Sequence, residues 1–293
     1  MEIKVNKGEK NTYSVEIVVP AVDVEAGLKE ALEHEAESVE IKGFRKGKAP
    51  LDLVKEQMDP SKLRGHVLNH MLPGIYSRVI TENKIRPIVD PKFEIIQFED
   101  EKDLILKMIL IEKPNIVLKD FKPALKEKYK SKNAKKEETS KEESKEKRED
   151  KVPSELSNEE VVEVIVKNSE VDLADELVKE ETDRMLANMI DQINKMGINL
   201  EQYLSSVKKS AEEMRAQYMD TAKRTLHADF AVTEIAFAEK IVITDEDVTQ
   251  SIGAIPDEKT REMLSTPEQK MYVKAILTKA KTLEKLAEMA KEG

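Results

Sequence analysis

Between Lys130 and Lys151 the chain offers one apolar side chain, Ala134. The remainder is lysine, glutamate, serine and a few other polar residues, so the stretch has no face to bury and cannot join a core. It divides the 293 residues into two parts, and the length suffices for each to build its own core. Residues 124–152 read as a flexible tether, with an exposed, charge-laced helix as the alternative, supported by the i,i+4 pair Glu143–Lys147. The expected organisation is a first domain over 1–114, a charged linker over 115–152 and a second domain over 153–293.

The first part alternates between two periods. Ile3 to Lys7 and Thr12 to Val19 read as strands joined by a turn at Lys7-Gly8-Glu9-Lys10; in the second, Tyr13, Val15, Ile17 and Val19 share one face. After Pro20, with Asp23 as candidate cap, Val24, Leu28, Leu32, Ala36 and Val39 recur every three or four residues, an amphipathic helix expected to lie on the sheet. A short helix runs from Leu51 to Met58. A longer one follows the break at Asp59-Pro60-Ser61 and should bend at Pro73-Gly74. Phe93 to Phe98 and Leu104 to Ile111 are strand-like. This makes an α+β head whose core is its sheet face and the helix beginning at Val24.

After Pro153 the periodicity is helical almost throughout, and its start signals recur. Ser157 with Glu160, Asn199 with Gln202 and Ser210 with Glu213 have capping-box spacing; Asp172, Thr244 and Thr266 are further candidate starts. One stripe runs through Leu173, Leu177, Met185, Met189, Ile193 and Met196 to a stop at Gly197. A last one runs through Val273, Ile276, Leu277, Ala280, Leu283 and Leu286. The second domain is therefore expected to be all-α.

Composition removes several function classes. There is no cysteine, hence no disulfide and no thiol nucleophile. The first ten residues lack the apolar core of a signal peptide, and no apolar run approaches the ~18 residues of a membrane helix; a cytoplasmic protein with no membrane partner is expected. No glycine-rich phosphate loop and no catalytic constellation appears, so neither a cofactor nor a catalytic residue is assigned. His66 and His70 have a zinc-compatible spacing, but no third ligand or metalloprotease glutamate accompanies them, and they read as ordinary surface histidines. Net charge is −10, unevenly spread. Residues 1–113 carry 18 lysines and arginines against 21 aspartates and glutamates, residues 124–152 carry 11 against 8, and residues 153–293 carry 18 against 29. Such a chain is repelled by RNA as a whole, and any RNA contact must be local.

The place for one is Gly43-Phe44-Arg45-Lys46-Gly47-Lys48-Ala49-Pro50. Gly43 and Gly47 allow turns that a Cβ would penalise, and Pro50 suits the first turn of a following helix. Between them stand an aromatic ring and three cations on a polar loop, a pattern suited to docking on an anionic surface with a pocket; a solvated turn with Phe44 folded back is the plainer alternative. If three cations meet phosphates, affinity should fall about 20- to 60-fold between 50 and 200 mM salt.

The octapeptide resembles the signature loop of the bacterial trigger factor family, Gly-Phe-Arg-x-Gly-Lys-x-Pro, with every position filled. The flanking segments Tyr13 to Ile41 and Leu51 to Pro91 are similar to that family's N-terminal domain. More weakly, Val166 to Val171 and the helices after Leu173 resemble its C-terminal domain. The resemblance implies a ribosome-docking head and a helical body with two arms, here the Leu173–Met196 and Ser210–Lys240 regions. It implies docking near the exit tunnel, to protein and rRNA, through Phe44, Arg45 and Lys46, with Gly43, Gly47, Lys48 and Pro50 shaping the loop. Nascent and unfolded polypeptides are the implied clients, and a weak homodimer is a further implied partner. Eight of the 12 methionines lie after residue 180. Flexible thioethers suit promiscuous surfaces, which makes Met185, Met189, Met196 and Met214, with Tyr218, candidate client contacts, although such residues more often fill helix seams. Family members usually carry an FK506-binding-type prolyl isomerase domain between head and body. Here only the Lys/Glu stretch stands there, and about thirty polar residues cannot enclose a proline, so isomerase activity is not expected. The competing readings are a residual isomerase and a ribosome-independent helical holdase.

Overall fold

The computed structural model describes residues 1–37, 40, 41, 43–99, 101–142 and 155–291, with backbone only over 135–142. Val39, Val152 and the pair Glu143–Lys147 lie outside the described residues. Two units separate, Met1–Lys113 and Pro114–Gly293.

The first unit is built on a four-stranded antiparallel sheet ordered β1-β2-β4-β3, from β1 (Glu2–Lys7), β2 (Thr12–Val19), β3 (Lys92–Gln97) and β4 (Leu104–Ile111). The β1–β2 turn closes through the Gly8 N–H to the Thr12 carbonyl at 2.8 Å, with Lys10 and Asn11 both at φ +53°. Opposed residues share a face. Val15 lies across from Met108, Ile17 from Leu106 and Val19 from Leu104, and these six are buried. The helix that covers them most is α3 (Pro60–Asn83), through Ile75 and Val79; α1 (Ala21–Ala36) adds Val24. The expected α1-on-sheet core is therefore mainly an α3-on-sheet core. Pro73 sits inside α3.

The rest of α1's stripe turns to a second core. Ala31, Leu32 and Ala36 pack with Ile41, with Val54 of α2 (Leu51–Gln57), and with Leu63 and Val67 of α3. Asp23 does not cap α1. The helix begins after Pro20 with no side-chain cap of its own, and the Ala21 N–H is taken by Asp103 Oδ1 at 2.9 Å, a residue 82 positions away. Asp59, in the stretch read as a break, caps α3, accepting from the Ser61 and Lys62 N–H groups. His66 and His70 project from α3 toward α1, where they meet Glu35 at 2.8 Å and Glu30 at 2.6 Å; their i,i+4 spacing serves two cross-helix pairs.

The second unit is helical apart from a ribbon of β5 (Ile116–Leu118) and β6 (Ser169–Val171). The expected tether is a helix through its described part, α4 (Lys122–Glu142). Phe121 and Leu125 are buried with Leu156, with Val161 and Ile165 of α5 (Asn158–Lys167), and with Leu286 and Ala290 of α11 (Pro267–Lys291). Three apolar residues four apart, Phe121, Leu125 and Tyr129, suffice to dock its first turns. Lysines then continue the attachment: Lys128 holds Glu163 at 2.9 Å, and Lys132 holds Glu160 at 2.5 Å.

The capping boxes at Ser157, Asn199 and Ser210 form as spaced, and Thr244 also closes a box with Asp247. Asp172 does not cap, because α6 (Asp175–Lys195) starts after Ala174 without a side-chain cap. The stretches expected as two arms, 173–196 and 210–240, lie against each other. α6 packs on α8 (Ala211–Ala238), with α7 (Leu200–Val207) alongside, around Met189, Ile193 and Met214, and Arg215 reaches Asp183 at 2.7 Å. A separate cluster joins α9 (Asp245–Gly253) and α10 (Glu258–Leu264) to α11 through Ile243, Val248, Ile252 and Leu277.

Candidate functional site

The loop from Gly43 to Pro50 hangs between a buried anchor and a partly buried one. Ile41 is in the second core of the first unit, and Ala49 and Leu51 pack against the same cluster. The backbone then folds on itself. The Phe44 N–H donates to the Ile41 carbonyl at 3.0 Å, the Lys48 N–H to that of Arg45 at 2.9 Å, and the Gly47 N–H to that of Ala36, the last residue of α1, at 2.9 Å. Gly43 and Gly47 have φ of +93° and +74°, a region that L side chains rarely occupy. Pro50 is the residue before α2, and its carbonyl accepts from Leu53 and Val54.

This geometry presents the ring. Phe44 is 45% exposed, so full burial on a partner would add about 1 kcal/mol, less than a wholly exposed ring would give. Among the described residues Lys46 meets one carboxylate, Glu40, at 3.4 Å with both groups exposed, a pairing of little strength. Arg45 and Lys48 are exposed and form no ion pair among the described residues. The ring is neither tucked into its own unit nor fenced by acids.

The second candidate set divides. Met189 and Met214 are buried in the α6–α7–α8 seam, while Met185 and Tyr218 are partly buried. Burial pushes the Tyr218 phenol up, with a smaller contribution from Tyr203. Only Met196 stands open, at the end of α6. Among the described residues of this unit, Phe237, Met271 and Val242 are more exposed than Met196, and Tyr272 and Met263 are nearly as open. Phe237 stands in the last turn of α8. Its accessible position follows from the end of that helix at Ala238, which a helical stripe alone does not reveal.

Together, a mixed head bearing an exposed aromatic–cationic loop and a separate helical unit with scattered apolar exposure define a two-unit α+β and α protein. The chain belongs to the bacterial trigger factor family. The family profile described as "Bacterial trigger factor protein (TF)" matches residues 1–147 and that of its C-terminus matches 118–288. The trigger factor of Clostridium perfringens is 33% identical over 122 residues, covering 42% of this chain and 28% of the relative. Trigger factor 1 of Desulfitobacterium hafniense is 34% identical over 122 residues, with 42% and 29% coverage. The chain thus matches less than a third of the length of these curated relatives. A solved structure described as "Promiscuous Substrate Recognition in Folding and Assembly Activities of the Trigger Factor Chaperone" superposes with a TM-score of 0.64 over 99% of this chain and all of that one, at 14% identity, a likeness of fold.

Proposed function

We propose that this chain is an ATP-independent chaperone that docks beside the ribosomal exit tunnel and shields emerging polypeptides in the cytoplasm. The observation that carries the docking half is the loop itself: a ring 45% exposed, flanked by Arg45 and Lys48 without ion pairs among the described residues, and tied at both ends to one apolar cluster. Phe44 supplies the apolar contact and Arg45 and Lys46 the contacts to protein and rRNA. Gly43, Gly47, Lys48 and Pro50 set the shape. Clients are held by exposed apolar residues of the helical unit, Met196, Phe237, Val242, Met271 and Tyr272, rather than by the buried Met189 and Met214. Weak, distributed contacts of this kind release without nucleotide chemistry. Prolyl isomerase activity is absent on this reading, since α4 follows the head where family members usually carry that domain.

Ribosome co-sedimentation of wild type against the triple variant F44A/R45A/K46A tests the docking half. Loss of binding with unchanged melting supports it, and equal binding rejects it in favour of a ribosome-independent holdase. Suppression of aggregation of an unfolded model protein tests the holding half. A proline-isomerisation rate above background on a model peptide overturns the isomerase statement.

A further inference from the structure

The charge of this acidic chain reverses locally. From Arg45 to Arg64 there are six lysines and arginines against three aspartates and glutamates. Among the described residues Arg45, Lys48, Lys55, Lys62 and Arg64 form no ion pair, and all five are exposed. Of the nearby acids, Glu99 feels the Arg64 charge but is held by Lys102 at 2.5 Å. Asp59 gives its carboxylate to the Ser61 and Lys62 N–H groups at the start of α3, and Asp52 sits in the first turn of α2, where the helix end favours it. Cations of the second unit are matched instead: Lys128 and Lys167 share Glu163, and Lys122 and Lys285 share Glu239.

The five cations also stand on one platform. α2 begins directly after the loop, and Val54, Leu63 and Val67 share a core with Ile41, Ala49 and Leu51. Loop, α2 and the first turns of α3 are therefore held as a piece. Lys55 and Arg64 line the same groove, whose other charged residues are Lys102, Glu25, Glu99 and Glu101, and the Arg64 guanidinium lies 5.9 Å from the centre of the Phe98 ring. A guanidinium resting on a ring face keeps its in-plane N–H edges for phosphate oxygens.

We infer that the RNA-contacting surface runs beyond the loop, along α2 to the start of α3, with Lys55, Lys62 and Arg64 each meeting a backbone phosphate. This rests on the docking function proposed above and names more of its partner. Cations spread over twenty residues of one rigid platform fit a string of phosphates better than a single carboxylate. Six contacts instead of three change the expected loss of affinity between 50 and 200 mM salt from about 20- to 60-fold to several hundred-fold or more.

The test uses the full chain in four forms: wild type, F44A, K55Q/K62Q/R64Q, and K29Q/K84Q/K107Q as a charge-matched control on the same unit. Ribosome binding is measured from 50 to 200 mM KCl. Binding to a labelled 20-base-pair RNA duplex and to polyglutamate is followed by anisotropy. The expected results are a salt slope shallower by about 2 for K55Q/K62Q/R64Q, an unchanged slope with uniformly weaker binding for F44A, and at least a tenfold loss on the duplex for K55Q/K62Q/R64Q alone. A wild-type slope in that variant, an equal loss in the control, or a loss on polyglutamate without one on RNA overturns the inference. Wild-type ribosome binding by F44A/R45A/K46A would reject the docking function instead, and the duplex measurement would still decide whether the α2–α3 cations bind phosphates.

Discussion

Replacing both loop glycines, G43A/G47A, separates the shape of the loop from its chemistry. The ring and all three cations stay. Neither new methyl collides: nothing lies within 4 Å of a Cβ at Gly43, and at Gly47 the nearest atoms, of Glu37, are at 4.0 Å. What changes is the backbone. An alanine in the left-handed region costs about 1–2 kcal/mol, and the stiffer chain returns about 0.4–1 kcal/mol at each site. The two sites together disfavour the native loop by up to roughly 3 kcal/mol, about 1.6 kcal/mol at mid-range. At about 1.4 kcal/mol per tenfold, the mid-range value lowers the docking-competent population about 14-fold, and apparent Kd rises by that factor. The loss stays local, since the Gly47 N–H to Ala36 bond can break while Ile41 and Val54 remain buried. Co-sedimentation with ribosomes at fixed salt gives Kd, and a thermal melt checks the fold. A Kd within twofold of wild type, with an unchanged melt, would refute the claim that positive-φ glycines present Phe44.

Four further outcomes follow from particular contacts. Gly65 lies inside α3 with open space around its missing Cβ, so Gly65→Ala should stabilise the first unit by about 0.5–1 kcal/mol, read as a raised Tm. Asp103→Ala should cost about 1 kcal/mol by uncapping α1 from a distance, more than Asp23→Ala; equal losses in denaturant titrations would contradict the assignment of the cap. Leu125→Ala should destabilise the second unit by about 2–5 kcal/mol, whereas a detachable tether would show almost no change. The Glu163 carboxyl is lowered from 4.5 to about 2 by hydrogen bonds from Lys167 and Lys128. Its contribution is present above the unfolded value and lost as pH falls from about 4.5 through 2, so melts in that window should be steeper for wild type than for Glu163→Gln.

The features legible in the sequence were those whose cause is local. Three capping boxes formed at their spaced residues, and Thr244, read only as a start, also closes a box with Asp247, because both partners sit within one turn. The strands β2 and β4 appeared where apolar residues alternate or run together, and the loop glycines took the positive φ for which a glycine between polar residues is suited. What was missed depends on distant partners. α1 is capped by Asp103, not by the nearer Asp23. Met189 and Met214 carry no local sign that α6 and α8 close over them. Helical period is also silent on where a helix ends relative to its neighbours, which is why Phe237 emerges as exposed only in three dimensions.

The segment after Pro114 carries this furthest. With a strongly polar composition, α4 gives no reason of its own to fold. Its helicity is conferred by Phe121 and Leu125 entering a core supplied by α5 and α11, and by Lys128 and Lys132 finding carboxylates that α5 has already fixed. One of these, Glu160, is the N3 residue of the Ser157 capping box. Lys132 therefore binds a side chain whose rotamer is set before α4 arrives, so less conformational entropy is lost than for two free side chains.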